Sequence, residues 1–319
     1  MTLDVASLSK HGTPAPVRIS YADILRTISL NDLMNEITGE LVRRSRYQMN
    51  IPQRSVIVVP DHCANVSMPA FAEADDLYIH KGGTIRLTPE TSRSATVSSL
   101  VSVYCTKTNK LLCTIDGAAV TNIKCAALSG IAFRQCTDSN RPHTAMIVGS
   151  GVQAIHQLWA LLETRELAEI KIVSRDQDRA RNFIQSAASL AGSRQLKIEA
   201  SSFDHAVEDA TIICTATTAN TPLGDFSRLK PNVHINCIGA HTTSSREVPL
   251  SLLQQAVVVV EDRDSAIAEA GIVHEAAYEF EEIIGMDNLS ERTTVFSSTG
   301  HAFYDYCTTR YILTLLGCR

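Results

Sequence analysis

The chain has 319 residues, of which 45% are hydrophobic and 20% charged, and its mean hydropathy is +0.01. At about 150 residues per domain this length has room for two globular domains, and the composition excludes an intrinsically disordered chain. Twenty-nine basic against thirty-four acidic residues give a net charge of −5, which argues against a nucleic-acid-binding protein.

The cysteines and histidines give no sign of a metal site. The nine cysteines are scattered without a C-x-x-C pair, and the ten histidines lack metal-ligand spacings. The first twelve residues lack the basic and apolar regions of a secretory signal. No apolar stretch reaches the roughly 20 residues that a transmembrane helix needs. We therefore expect a reduced, cytoplasmic protein with no membrane partner.

The first 135 residues predict a mixture of helices and antiparallel strands. Residues 17–48 begin with the strand-like VRIS and continue as a helix, with Ser20 as a candidate cap. Residues 51–116 are short β-rich runs separated by turn residues, which predicts a mostly antiparallel sheet. Residues 117–135 are alanine-rich and contain no proline, which is typical of a helix.

The polar segment 136–143, CTDSNRPH, is the best candidate for a domain boundary. After it, short apolar strands alternate with amphipathic helices, and residues 301–316 predict a closing helix. This alternation is typical of a doubly wound parallel sheet. The predicted fold class is α/β, with a Rossmann-type doubly wound parallel sheet and a second domain of mixed α and β elements.

A glycine-rich turn, GSGVQA, carries the sharpest chemical signal of the sequence. It follows the apolar strand TAMIV and opens a helix. Gly149 would make the tight turn and Gly151 would let the backbone approach a pyrophosphate, while Ala154 permits close packing of helix and strand. Val152 and Gln153 begin the helix, whose N–H groups and dipole favour phosphate. The turn predicts a dinucleotide site.

The end of the next strand, EIKIVSR, bears on the choice of dinucleotide. NAD-binding folds place an acidic residue there to hold the ribose 2′-hydroxyl. Here Ser174, Arg175 and Arg179 suit a 2′-phosphate instead, because guanidinium groups bind phosphate through paired hydrogen bonds. Asp176 is near enough to act as the acidic residue. The sequence favours NADP(H) and leaves NAD(H) open.

A third strand, TIIC, leads into further candidates for cofactor binding. Thr215, Ala216 and Thr217 should lie at the carboxyl edge of the parallel sheet, where doubly wound folds bind their ligands. We expect these three residues to line the dinucleotide site. An ordinary exit from strand to loop is the alternative interpretation.

Several ordered segments resemble the ornithine cyclodeaminase/mu-crystallin family, over residues 17–316. They are IPQRSVIVVP with MPAF, YIHKGG, LLCTIDGAAVTNIKCAALSGIA, IVGSGVQA, LKPNVHINCIGA and TTVFSSTGHAFYDY. The resemblance implies a Rossmann domain at residues 139–300. It also implies a substrate-binding and dimerisation domain made of residues 1–138 and 301–319, and a homodimer.

The resemblance also implies roles for single residues. It places Arg54, Met68, Lys81 and Lys124 around the substrate and Thr96 near the nicotinamide. An α-imino or α-amino acid carries a carboxylate that cations can orient. Lys81 can exchange a proton with the reacting nitrogen if burial lowers its pKa. A solvated position on the surface is the alternative for each of these cations.

Three departures from the family pattern bear on the substrate. Lys124, in KCAA, stands where the family has the arginine of an RTAA motif, so the forked contact with a carboxylate is lost. His241 stands where cyclodeaminases have an aspartate, and Val66 replaces an acidic residue two positions before Met68. The missing carboxylates would hold the distal ammonium of a diamino acid, which is costly to desolvate without a counter-charge.

Two residues keep two interpretations each. His241 can donate a proton, since an unperturbed histidine has a pKa of about 6.5, or it can be a structural histidine bonded to a backbone carbonyl. Asp305 matches an acidic position in the closing motif of the family, and helix capping or packing would explain it equally.

The sequence therefore predicts an NAD(P)H-dependent reductase that transfers hydride to the C=N carbon of an α-imino acid. A cyclic ketimine such as Δ1-pyrroline-2-carboxylate or Δ1-piperideine-2-carboxylate is the expected substrate. Arg54 and Lys124 would clamp its carboxylate, and Lys81 with His241 would supply the proton. The alternatives are an NAD-dependent, ammonia-releasing ornithine or lysine cyclodeaminase, an amino-acid dehydrogenase or opine-type coupling enzyme, and a dinucleotide-binding protein without turnover.

Overall fold

The computed structural model describes residues 16–43, 49–86, 97–239 and 242–318. It contains two β-sheets, whose strands lie within residues 17–116 and 143–297 respectively. None of the helices in these described ranges combines the length and the apolar character needed to cross a bilayer.

The first sheet has seven strands in the order β1-β7-β6-β5-β4-β2, with β3 also beside β4. Strands β4 to β7 pair antiparallel as predicted, and β1 joins β7 in parallel. Buried and more accessible residues alternate along β5, so Leu77, Ile79 and Lys81 share the core-facing side. The strands are β1 (Val17–Ile19), β2 (Met49–Asn50), β3 (Ser55–Val59), β4 (Cys63–Ala72), β5 (Leu77–Arg86), β6 (Val97–Cys105) and β7 (Lys110–Asp116).

Two helices pack on the strands of this first sheet: α3 (Gly117–Cys136) and, from the end of the chain, α10 (Ala302–Leu315). Helix α1 (Tyr21–Leu25) packs on α3, and α2 (Leu30–Arg43) packs on α3 and α10. Ser20 caps α1 as predicted, in a capping box with Asp23. The single helix predicted before residue 48 is wrong, because the chain forms two. The hydroxyl of Ser29 accepts the amide of Asp32 at 3.2 Å and so begins a second helix.

The second sheet has eight strands, all parallel, in the order β10-β9-β8-β11-β12-β15-β13-β14. Strands β11, β12, β13 and β15 are buried along their whole length, as the run VVVV in β13 illustrates. The strands are β8 (His143–Val148), β9 (Leu167–Val173), β10 (Lys197–Ala200), β11 (Ile212–Thr215), β12 (His234–Cys237), β13 (Val257–Val260), β14 (Tyr278–Glu279) and β15 (Thr294–Ser297).

The strand order reverses direction at β8, because β9 and β10 lie on one side of it and β11 and β12 on the other. Ligands of doubly wound sheets bind in the crevice at such a reversal, outside the carboxyl ends of the strands. The α/β class with a doubly wound parallel sheet is therefore confirmed. Its helices are α4 (Val152–Thr164), α5 (Gln177–Ala191), α6 (Phe203–Asp209), α7 (Leu250–Gln255), α8 (Arg263–Ala270) and α9 (Phe280–Ile283).

Two helices, α3 and α10, connect the first sheet with the second. Helix α3, which packs on the first sheet, also packs against α4, which follows the glycine turn of the second. After β15 the chain returns to the first sheet, where α10 packs against α2, α3, β4 and β5. Residues 298–305 therefore cross the junction between the sheets.

Candidate active site

A buried ion cluster lies at this junction. The Lys81 ammonium donates to Oδ1 of Asp305 at 2.8 Å, and the Lys124 ammonium lies 3.9 Å from the same oxygen. The side chains are 11%, 3% and 0% exposed for Lys81, Lys124 and Asp305. The other carboxylate oxygen of Asp305 is buried without a hydrogen-bond partner in the described part of the chain. The interpretation of Lys81 and Lys124 as solvated surface cations is therefore wrong.

Each member of the cluster is supplied by a different element. Lys81 takes a core-facing position in β5, Lys124 lies in the middle of α3, and Asp305 stands in the first turn of α10. Met68 of β4 lies directly opposite Lys81 in the antiparallel register and is 7% exposed. Opposite residues share a face of the sheet, so Met68 lies beside Lys81.

The two lysines differ in how firmly they hold a proton. Burial lowers the pKa of Lys81; Asp305 opposes this shift and Lys124 adds to it. Burial also disfavours the charge of Lys124, but Asp305 and neighbouring acidic groups outweigh it and raise its pKa to about 12. Burial would raise the pKa of Asp305, but the two lysines hold it below its usual value. Lys124 is thus a fixed charge, and Lys81 is the lysine that releases a proton more easily.

Arg54 reaches the same junction from the segment that precedes β3. One of its terminal nitrogens, Nη2, donates to the carbonyls of Thr299 at 2.5 Å and Gly300 at 3.2 Å, and forms an ion pair with Glu269. Gly300 has a φ of +82°, and a Cβ there would lie 3.3 Å from the Lys124 ammonium. The turn at Gly300 therefore brings together Arg54 and Lys124, the two predicted carboxylate clamps.

Two glutamates at this site were missed by sequence reasoning. Glu261, directly after β13, is fully buried and accepts from Ser298 Oγ at 2.6 Å and the amide of Thr299 at 3.0 Å. Glu269, on α8, is 25% exposed; burial raises its pKa to about 7, although Arg54 opposes the shift. Neither residue lies in a recognisable motif, so only the packing reveals them.

The turn between β8 and α4 has the geometry of a phosphate site. Gly149 has a φ of +114°, and a Cβ there would lie 2.5 Å from the carbonyl oxygen of Ala216. A Cβ on Gly151 would meet nothing within 4 Å, so open space faces this residue. Gly151 caps α4 without a side-chain hydrogen bond, and Ala154 is fully buried against the fold. These features fit a dinucleotide pyrophosphate at the end of α4.

The first two residues of α4 face different surroundings. Val152 is 60% exposed. The side-chain amide of Gln153 donates to Asn122 of α3 at 2.9 Å, and its oxygen Oε1 is buried without a hydrogen-bond partner among the described residues.

A buried carboxylate, Glu247, organises the other wall of the crevice. It accepts from the Thr215 hydroxyl at 2.7 Å, from the Thr217 amide and hydroxyl at 2.7 and 2.6 Å, and from the Gly239 amide at 2.8 Å. Burial raises the pKa of Glu247, and these hydrogen bonds oppose the shift. The Thr215 side chain is fully buried and its hydroxyl points to Glu247, so Ala216 and Thr217 form the more accessible part of this predicted segment. Glu247 stands in no motif that predicts this role from the sequence.

The residues predicted to distinguish NADP(H) from NAD(H) lie at the end of β9. Asp176 caps α5 by accepting the amides of Asp178 and Arg179, each at 3.0 Å, and lies 3.4 Å from the Arg179 guanidinium. Arg175 and Arg179 are exposed, and Ser174 is partly buried at the strand end. Asp176, the carboxylate near enough to hold a ribose, is therefore already engaged by the helix.

Thr96 and His241 lie outside the described residues, so their roles stay predictions. Within the described ranges, no group of three or more His, Cys, Asp or Glu side chains gathers where it could hold a metal ion.

Comparison with known proteins places this geometry in context. The sequence model of the ornithine cyclodeaminase/mu-crystallin family matches residues 17–315. The chain is 30% identical to a ketimine reductase mu-crystallin of Rattus norvegicus over 261 residues, which cover 80% of this chain and 81% of that protein. It is 28% identical to a Δ1-pyrroline-2-carboxylate reductase of Bacillus cereus over 265 residues, or 77% and 79% of the two chains.

A similar fold occurs in the structure of Thermococcus litoralis Δ1-pyrroline-2-carboxylate reductase in complex with NADH and L-proline. The TM-score is 0.86, with 94% of this chain and 97% of that chain covered. The sequences are 21% identical, so this likeness shows the fold.

Proposed function

This chain belongs to the ornithine cyclodeaminase/mu-crystallin family, and we propose that it works there as an NAD(P)H-dependent reductase of α-imino acids. At the coarser level of enzyme class, it is an oxidoreductase that acts on a carbon–nitrogen bond with a nicotinamide dinucleotide. The proposed substrate is a cyclic ketimine such as Δ1-pyrroline-2-carboxylate or its six-membered homologue, Δ1-piperideine-2-carboxylate.

The observation that carries the proposal is the set of three cations around Asp305 and the Gly300 turn. Arg54 and Lys124 meet at Gly300, where they can hold the carboxylate of an α-imino acid. Lys81 donates to the Asp305 oxygen that Lys124 also approaches, at 2.8 and 3.9 Å respectively. One end of the substrate is thereby fixed by charge, and its nitrogen can face Lys81.

Lys81 is suited to give a proton to the imine nitrogen. Asp305 favours its charged form, while burial and Lys124 lower its pKa and ease the release of the proton. The bound dinucleotide supplies the hydride to the adjacent carbon. The C=N bond thus becomes CH–NH, with one hydride and one proton added. Gly149, Gly151, Val152, Gln153, Ala216 and Thr217 would hold the dinucleotide, with Thr96 as predicted from the sequence.

We place NADP(H) ahead of NAD(H) as the cofactor. The support is the exposed Arg175 and Arg179 beside Ser174, together with Asp176, which caps α5. Replacing Arg175 or Arg179 by alanine should raise KM for NADPH more than KM for NADH. A reductase of this kind draws on the reduced dinucleotide of the cytoplasm, where we place it.

The proposed reaction is tested by loss of reduced-nicotinamide absorbance with NADPH or NADH and a panel of cyclic and acyclic imino acids. We expect a cyclic ketimine to be reduced, and Lys81→Ala to lower kcat by about 100-fold or more, because a positioned acid contributes at least that factor. Lys107→Ala is the matched control, since Lys107 is 74% exposed and pairs with Asp76 at 2.6 Å on a surface turn.

The second candidate, a cyclodeaminase, is distinguished in the same experiment. Glu269 is a carboxylate at the edge of the site that a distal ammonium could meet, but it is already paired with Arg54. Ammonia released from ornithine or lysine without net change in nicotinamide absorbance would overturn the reductase proposal. Tight dinucleotide binding with neither reaction would instead favour a binding protein without turnover.

We also propose a homodimer that forms through strand β3. Every residue of β3 is exposed, and Val56, Ile57 and Val58 are at least 50% exposed at the edge of the first sheet. An exposed apolar edge strand is a liability that a second copy of the chain would cover.

A further inference from the structure

The contacts of Arg54 converge on a single nitrogen. The carbonyls of Thr299 and Gly300 and the carboxylate of Glu269 all approach Nη2. This nitrogen carries two hydrogens, so three acceptors already share them. Arg54 comes from the segment before β3 and Glu269 from α8, so the ion pair also spans the junction between the two sheets.

A carboxylate can bind a guanidinium through two parallel hydrogen bonds along either of two edges. One edge is formed by Nη1 and Nη2, and the other by Nε and Nη2. Both edges include Nη2, so a forked contact with a substrate carboxylate needs a hydrogen that Glu269 and the two carbonyls now share. The carbonyls belong to the backbone of the Gly300 turn, whereas Glu269 is a partly exposed side chain that can rotate away.

We propose that Glu269 holds the place of the substrate on Arg54, and that the carboxylate of an α-imino acid displaces it on binding. This inference rests on the proposed function, in which Arg54 binds that carboxylate. It makes Glu269 a residue that sets the affinity for carboxylate substrates.

Displacement has a consequence for protons, because of the charges that surround Glu269. Arg54 faces it from the first sheet, Lys124 from α3 and Glu261 from the end of β13. Arg263 and Asp264 lie at the start of its own helix, and the 3₁₀ turn packed on α8 carries His274, which is bonded to Ser297. The pKa of Glu269 is about 7 even with Arg54 in contact. A displaced carboxyl that remains buried beside Glu261 loses Arg54 but keeps the two effects that favour its protonated form, burial and the charge of Glu261, so it takes up a proton.

The affinity for the substrate depends on pH through Glu269. Below pH 7 Glu269 is protonated before the substrate arrives, and binding does not depend on this group. Above pH 7 it is ionised in the free enzyme and binding takes up as much as one proton. The affinity for the substrate then falls by at most about tenfold per pH unit.

Calorimetry measures this proton directly. L-proline, the product expected from the five-membered ketimine, is titrated at pH 8 into enzyme loaded with NADP⁺, in two buffers of different ionisation enthalpy. We expect the wild-type enzyme to take up about one proton more than Glu269→Gln, and Asp264→Asn, an exposed carboxylate on the same helix, to match the wild type. At pH 8 the KM of Glu269→Gln for the ketimine should be about tenfold lower than that of the wild type, and the two should converge below pH 6.

A KM for the ketimine that is no lower in Glu269→Gln than in the wild type at pH 8 would overturn the displacement. Equal proton uptake in the two enzymes, together with equal KM values, would do the same. Either result could occur with full reduction of the ketimine, and the proposed function would then stand. If no imino acid is reduced and L-proline does not bind, the proposed function fails and the displacement with it.

Discussion

At the scale of single residues, Asp305 determines how Lys81 holds its proton. Replacement by asparagine removes the nearest negative charge, so the pKa of Lys81 should fall further and less of it will be protonated at neutral pH. We expect the alkaline limb of the kcat profile for imine reduction to move to lower pH in Asp305→Asn. The variant also leaves two buried lysines without their counter-charge, at a cost of about 3–5 kcal/mol in the free energy of unfolding.

Lys124 gives a test of the opposite sign. Its charge lowers the pKa of Lys81, so Lys124→Met should move the same limb to higher pH, while the KM for the imine rises because a carboxylate contact is lost. Profiles of kcat at saturating substrate measure both variants, and Lys124→Met keeps the test decisive if Asp305→Asn does not fold. A limb that moves in the same direction in both variants would contradict the assigned role of Lys81.

Some of these residues could be predicted from the sequence and others could not, for a physical reason. Lys81 and Lys124 stand in recognisable motifs, and their positions could be predicted from local sequence. Their shared partner Asp305 lies 224 positions after Lys81, and no local pattern shows that the two meet. Glu247 and Glu269 lie in no motif, and their importance comes from donors that distant segments bring to them.

At the scale of elements, the turn between β8 and α4 contains two glycines that are required for different reasons. Gly149 has a left-handed φ and no room for a Cβ, so Gly149→Ala should destabilise the fold by about 1–3 kcal/mol. Gly151 has a φ of −94° and open space around it, so Gly151→Ala should leave the melting temperature unchanged. Its added methyl group would instead fill the space in which the pyrophosphate is expected to approach the backbone. The Kd for NADPH should then rise by about tenfold or more.

Thermal melts and NADPH fluorescence titrations of the two variants check this contrast. Gly151→Ala with wild-type affinity for NADPH would show that the pyrophosphate does not approach this turn. A Gly149→Ala variant as stable as the wild type would contradict the steric argument at that position.

Most elements could be predicted because their signals are local. The alternation of apolar strands and amphipathic helices after residue 143 predicts the parallel sheet, and turn residues separate the antiparallel strands before it. The break between α1 and α2 was missed because Ser29 is a second cap inside a continuous apolar pattern. The register that sets Met68 opposite Lys81 depends on how long strands pair, which one sequence does not reveal.

At the scale of the whole molecule, the candidate site exists because the chain crosses the sheet junction twice. Helix α3 leads from the first sheet towards the second, and α10 returns. Arg310 of α10 holds this return in place through ion pairs with Glu36 and Glu40 of α2 and with Asp75. Burial disfavours the charge of Arg310, but the three carboxylates outweigh it and raise its pKa above the usual value. The fold therefore assembles the site from segments that are far apart in sequence.

The exposed edge of the first sheet makes a last prediction at this scale. Ile57 lies among other apolar residues in β3 and is 64% exposed. Ile272 lies outside β3, in the 3₁₀ turn after α8, and is 68% exposed. If a second copy of the chain covers β3, Ile57→Asp will place a charge in the interface and separate the subunits, because burying an unpaired charge is costly. Ile272→Asp introduces the same charge at similar exposure and should have no such effect.

Light scattering after size-exclusion chromatography measures the outcome. We expect the wild-type protein and Ile272→Asp to have twice the chain mass of 34.8 kDa, and Ile57→Asp to approach a single chain mass. Because Gly149, Gly151 and Ala216 of the proposed dinucleotide site all lie in one chain, separated subunits should still bind NADPH. A dimer that persists in Ile57→Asp would mean that another surface joins the subunits. A monomeric wild-type protein would overturn the proposed homodimer.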